Sequence, residues 1–383
     1  MEGTPLFKPI RVSRLKRDWR LLIPPLVLLN LAFGLITGLD RLGWELPFVS
    51  PMLHHGAIMV GGFLGTLIAV EKIIPLKNRL LLVGPLASGA SLPAFAVSQP
   101  GLAFMLLTLA AANLCLVYFL YLRRQPTAEL VMALCGAVCW LVGNVFLLWK
   151  PVYPMVFPWW MGFVLFTIVS ERLELTRFLP VTHRQRQLLF AAAGLFGVSL
   201  LFPFAGWGRF GAGVALLLMG VWLLRFDLIR LTIGRKGQPG FTAFALAGGY
   251  ALLLAEGILM MTLPDGGFSY DVMVHVFFIG FVFSMIFAHG PIILPGVLGL
   301  SVRPYHNAFY AALALLYGSL LVRVGGGIGW LPSAWRMAGG WLTTVAILLY
   351  FALMLMAMRQ ALRRAGAGGE SAGASGASQQ TRL

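Results

Sequence analysis

The sequence predicts an all-α polytopic membrane protein of about twelve transmembrane helices, with the N- and C-termini both cytoplasmic. Three observations predict it. Hydrophobic residues make up 59% of the 383-residue chain and charged residues only 11%, with a mean hydropathy of +0.86, more apolar surface than a water-soluble domain can bury. Apolar runs long enough to cross a hydrocarbon core of ~30 Å recur along the chain. The basic residues between those runs alternate in number from one loop to the next.

Taken in order, the expected spans are 21–39, 53–74, 80–98, 101–122, 128–149, 153–171, 187–205, 210–229, 241–262, 270–293, 306–323 and 337–358. Residues 1–20 form a basic cytoplasmic arm. The run that follows is long and has no small-residue cleavage site, so the arm does not read as a signal peptide. From 359 to 383 the chain becomes rich in Gly, Ala and Ser and reads as a disordered cytoplasmic tail.

With the N-terminus inside, 24 of the 29 lysines and arginines fall on the cytoplasmic side, and the outside keeps Arg41, Lys150, Arg209, Arg323 and Arg336. A missed or invented span would scramble that alternation downstream. The same bias accounts for the net charge of +16 through lipid topology, so no nucleic-acid partner is expected and the partner implied is the bilayer. The outer loops carry Trp44, Trp207 and Trp330, as an interfacial belt would. Cys115, Cys135 and Cys139 all lie in apolar spans, which suits buried packing and not a disulfide framework.

Only six histidines occur, and the topology gives each a depth. His54 and His55 open span 2 at its outer end. His275 lies near the outer end of span 10, four residues after Asp271, at a matching height. Histidines on two separate helices can grip a haem iron from opposite faces, neutral imidazole being a preferred ligand. Adjacent residues on a helix point about 100° apart, so only one of His54 and His55 can face such a site. His55, deeper in the span, is preferred. Arg323 and Arg336 flank the loop between spans 11 and 12 on the same side and are placed to meet haem propionates. The bland alternative is histidines bonding headgroups and arginines snorkelling.

Elsewhere, Asn30, Asn113, Asn144, Tyr250 and Glu256 are polar residues within spans. Glu256 has three roles open to it: carrying protons, ligating a metal or pairing with an arginine. His289 lies about 21 Å further along span 10 than His275, grouped at the inner side with Glu71, Glu171 and His306. A second metal site and a plain Glu71–Lys72 ion pair are the competing readings there. Gly290, Pro291, Pro295 and Gly296 predict that the helix breaks just behind His289. His183 sits in a basic cytoplasmic loop as a solvated residue.

This pattern of a helix 2 histidine, a helix 10 histidine and paired arginines in the 11–12 loop resembles the low-spin haem arrangement of haem-copper oxidase subunit I and nitric oxide reductase large subunits. The resemblance assigns iron ligation to His55 (or His54) and His275, and the propionates to Arg323 and Arg336. It stops short of the second metal. Span 6 (Pro158-Trp159-Trp160-Met161-Gly162) and span 7 lack histidine, and span 10 reads His275-Val276-Phe277, without a His-x-His pair. No gas-reducing binuclear centre is therefore implied.

In length and spacing the chain is more similar to the NnrS family, twelve-span haem- and copper-containing proteins tied to nitric oxide tolerance. The stretch His54 to Leu64, with its Gly62-Phe63 step, and the stretch His275 to Met285 carry that similarity. The His-Glu-Met and Gly-His-Thr-Gly motifs associated with that family are replaced by His55-Gly56-Ala57 and His289-Gly290-Pro291. The similarity implies a b-type haem, with copper as a further candidate, a bacterial-type inner membrane, and a respiratory-chain or nitric oxide-related partner. His55, His275, His289 and Glu256 form the candidate metal-ligating set. A secondary transporter centred on Glu256 and a non-catalytic assembly subunit are the alternative functions.

Overall fold

Inside a bilayer an exposed peptide group finds no water, so an apolar chain must close its own hydrogen bonds, and helices do so within one segment. A computed structural model of the protein describes residues 23–45, 51–76 and 78–379. The basic arm 1–20 lies outside them. The described residues contain helices, turns and loops and no strand.

The long helices are α1 (Ile23–Arg41), α2 (Met52–Leu76), α3 (Arg79–Ala96), α4 (Pro100–Arg124), α5 (Ala128–Trp149) and α6 (Tyr153–Phe178). They continue as α7 (His183–Ser199), α8 (Phe204–Phe226), α9 (Gln238–Thr262), α10 (Ser269–Gly296), α11 (Phe309–Gly327) and α12 (Trp335–Gln379). Among the described residues, ten of these are long and apolar enough to cross a membrane, all but α1 and α7. The protein is thus an all-α, multi-pass chain built for a lipid environment. Helix α12 runs on to Gln379, past the boundary expected at 358 and into the Gly-, Ala- and Ser-rich stretch.

Neighbours in sequence pack as neighbours in space, and α1 closes on α12. Helices α2, α6 and α10 are the interior ones. They bury 67–72% of their most apolar windows, against 39–61% for the other candidate spans. Helix α2 also touches α10 directly, which brings together the two histidine-bearing segments.

Two prolines show how interior polar groups are spent. The helix does not break behind His289, as Pro291 and Pro295 lead one to expect. It continues to the end of α10 with both prolines inside. Pro291 has no N–H for the carbonyl of Phe287, and the Tyr350 hydroxyl donates to that carbonyl instead, at 2.7 Å. In α3, Pro93 likewise frees the Gly89 carbonyl, which accepts from Asn30 Nδ2 at 3.2 Å. Tyr350→Phe leaves one buried carbonyl unpaired and is expected to cost about 1 kcal/mol, read as a lower unfolding midpoint in detergent.

Asn144 and Tyr250 are similarly engaged. Asn144 donates to the Leu107 carbonyl and accepts from Trp160 Nε1, tying α4, α5 and α6 together. Tyr250 donates to Asp227 at 2.6 Å. The cysteines are free, with Cys139 buried.

Candidate functional site, a two-histidine pocket

Helices α2 and α10 share a local irregularity. Three residues after His55, Ile58–Gly65 widen into π-helical turns, and immediately after His275, Val276–Val282 do the same. Such turns insert a residue without a full turn and so re-aim everything on one side of them; they concentrate at functional sites. Glycines permit the crowding around the first. A Cβ on Gly62 would meet Asn30 Oδ1, and one on Gly65 would meet the Trp140 ring.

The two imidazoles come close together in the interior. Their ring centroids are 6.4 Å apart and their planes differ by 15°. His55 Nδ1 lies 2.9 Å from the Gly34 carbonyl oxygen, and His275 Nδ1 lies 2.6 Å from the Asp271 carbonyl oxygen. A carbonyl oxygen can only accept, so each Nδ1 carries the proton and each Nε2 keeps its lone pair. Holding a histidine by one ring nitrogen so that the other can ligate is the usual outer support of a metal-bound imidazole.

The rings stand in a cavity of about 290 Å³. Its deep walls are apolar, with Val60, Leu64, Ile279, Phe283 and Ile347. Its mouth, at the end of the bundle where α1 and α11 finish and α2, α6, α10 and α12 begin, carries Arg41, Arg323, Arg336, Tyr153, Tyr270 and Asp271. Arg41 shares the lining with both histidines and both tyrosines.

The three arginines are not equivalent. Arg323 is buried and grips Asp271 with two hydrogen bonds, at 2.7 and 3.2 Å. The same carboxylate stands 3.3 Å from His275 Nδ1. Arg336 lies 3.4 Å over the Phe268 ring, and its Nε and Nη1 are buried without a hydrogen-bond partner. A guanidinium cannot shed its charge, so those two donors suit an anionic group entering the mouth.

Of the expected residues, His55, His275, Arg323 and Arg336 line this one pocket, and His54, His289 and Glu256 do not. His54 turns away to bond the Tyr153 hydroxyl at 2.9 Å and stack on Phe95. His289 lies at the other end of α10, its Nδ1 on the Met285 carbonyl. There Lys72 Nζ bridges Glu71 and Glu171, at 3.0 and 2.5 Å. His306 Nδ1 accepts the Ala308 N–H. Glu256 is fully buried on α9, and neither carboxyl oxygen has a partner. The four-residue metal set is therefore divided among three places. Among the described residues, no three of His, Cys, Asp and Glu gather as a metal site.

Sequence reasoning passed over Arg41, Tyr153, Tyr270 and Gly38. A signal existed for Arg41, which ends span 1 on the same side as the histidines. None existed for Gly38, whose missing Cβ would stand 2.8 Å from His55 Cε1 and whose absence of side chain admits the ring. A second cavity, larger at about 680 Å³, meets the first only at Tyr270. It contains no histidine, and its Arg209 and Asp265 are paired at 2.7 Å, so the chemistry points to the smaller one.

Fold and site together define a multi-pass helical bundle with a pair of Nδ1-anchored imidazoles in a largely apolar cavity with a cationic mouth. Residues 20–359 match the domain of unknown function DUF8744, and the chain belongs to that family. No curated protein and no solved structure matches it.

Proposed function

We propose that His55 and His275 hold one b-type haem between α2 and α10, in a twelve-span protein with both termini cytoplasmic, and that the protein is NnrS-like, serving nitric oxide response or respiratory metabolism in a bacterial-type inner membrane. The observation that carries this is the pair of Nδ1-anchored rings. An iron held between two inward-turned Nε2 atoms needs two metal–nitrogen bonds of ~2.0–2.1 Å plus two centroid-to-nitrogen lengths of about 1.1 Å, about 6.3 Å in all, and the ring centroids lie 6.4 Å apart.

The rest of the pocket fits the group as well. Val60, Leu64, Ile279, Phe283 and Ile347 suit a macrocycle's apolar edge, and the free Arg336 donors, with Arg41 and Arg323 nearby, suit its propionates. A lone copper ion between the same nitrogens is the second candidate, but it would need neither the slot nor the cationic mouth. Bound haem would supply one-electron chemistry and an iron centre for small ligands. The chain's own residues fix both imidazoles in the ligating tautomer, exclude water from the slot and neutralise carboxylates at its mouth.

The test is the reduced-minus-oxidised visible spectrum of protein purified from cells with ample haem. A sharp low-spin band is expected in the wild type and is expected to be lost in both His55→Ala and His275→Ala. A colourless wild-type protein would overturn the proposal. A second reading, proton-coupled transport of a small solute, has one observation in its favour, the unpartnered buried Glu256. It predicts that Glu256→Gln abolishes function while the two histidine variants do not.

A further inference from the structure

The two histidines are held differently, and the difference bears on what reaches the metal. His275 is anchored within its own helix. Its Nδ1–H meets the Asp271 carbonyl four residues back, at 2.6 Å, with the Asp271 carboxylate 3.3 Å away. That carboxylate is locked in turn by Arg323 from α11. An imidazole backed by a carboxylate is the more basic and firmer ligand.

His55 has no anion behind it. Its Nδ1–H reaches across to α1, to the Gly34 carbonyl at 2.9 Å, and the Thr37 hydroxyl competes for that same oxygen at 3.0 Å. The ring lies against Gly38, and the side chain beside it, Met59, is unbranched and adaptable. Helix α1 packs chiefly along α2, the helix that carries His55, and only secondarily touches α12. The hold on His55 therefore depends on how α1 sits against α2, whereas the hold on His275 does not involve α1.

We infer that His275 is the permanent ligand and His55 the exchangeable one, so that a small neutral diatomic ligand, such as nitric oxide or carbon monoxide, reaches the metal from the α1 side. This rests on the haem proposal above and gives it a ligand class and a direction. His55 acts as a gate: its Nε2 fills the position at rest and yields it to the incoming molecule. Asp271 is a positioning residue, acting through His275 and not on the ligand.

Carbon monoxide is the probe. Its binding to the reduced, full-length protein is followed by stopped-flow absorbance, with haem content assayed separately. In the wild type, binding is expected to be slow and independent of carbon monoxide concentration, limited by release of His55. His55→Gly is expected to keep the wild-type haem content, bind carbon monoxide at least about tenfold faster, and recover the wild-type spectrum on addition of imidazole. His275→Gly is expected to lose haem. Gly38→Ala keeps both histidines and places a methyl against His55 alone; it is expected to accelerate binding as well.

Retention of haem with fast binding in His275→Gly, and loss of haem in His55→Gly, would overturn the inference, as would equal rates in the two variants. Either result would leave the haem proposal standing. A wild-type protein without haem would overturn both.

Discussion

Asp271→Ala is expected to lower stability by about 3–5 kcal/mol, because it leaves the buried Arg323 guanidinium without its counter-ion. The cost comes from the stranded charge more than from the lost attraction. Arg323 is only 6% exposed, and α11 offers it no second carboxylate among its hydrogen-bond partners. Removing both charges together, as Asp271→Ala with Arg323→Met, is therefore expected to restore most of the stability. Unfolding midpoints of the two single variants and the double variant in one detergent would check this. A double variant as unstable as Asp271→Ala would show that the pair is not what the site depends on.

Gly339→Val is expected to be comparably damaging, at about 3 kcal/mol, for a purely steric reason. A Cβ at 339 would sit 2.6 Å from the backbone nitrogen of Arg323 and 2.8 Å from its Cα. Neither backbone can yield locally, so α11 and α12 must part, and with them Arg323 and Arg336. Haem content should fall along with stability. The adjacent Gly340 is the control. Its nearest obstacle is the end of the Leu42 side chain, which can rotate, so Gly340→Ala is expected to be mild. Equal losses at the two positions would contradict the close-approach explanation.

Much of the architecture was legible in the sequence because membrane physics leaves few choices. Apolar runs of bilayer length become helices, and most expected spans lie within a few residues of the helices observed. The matching level of His55 and His275 was legible too, since it follows from position along helices of known rise, and their rings lie 6.4 Å apart. What was not legible depends on contacts distant in the chain. Helix α10 continues through Pro291 because Tyr350, 59 residues away, takes up the freed carbonyl. The π-helical turns after both histidines arise from packing against neighbouring helices, and no spacing rule announces them. The choice between His54 and His55 turns on Gly34 and Gly38 of α1, one ring accepted there and the other sent to Tyr153. The distinct states of Arg323 and Arg336, one spent on Asp271 and the other with free donors, likewise need the three-dimensional arrangement.

The most direct measurement of the central claim is the low-temperature electron paramagnetic resonance spectrum of the oxidised, purified protein. Two imidazoles on one iron with nearly parallel planes, 15° apart, predict a low-spin rhombic signal amounting to one iron per chain. A high-spin axial signal, or no iron signal at all, would contradict the placement of one haem between His55 and His275.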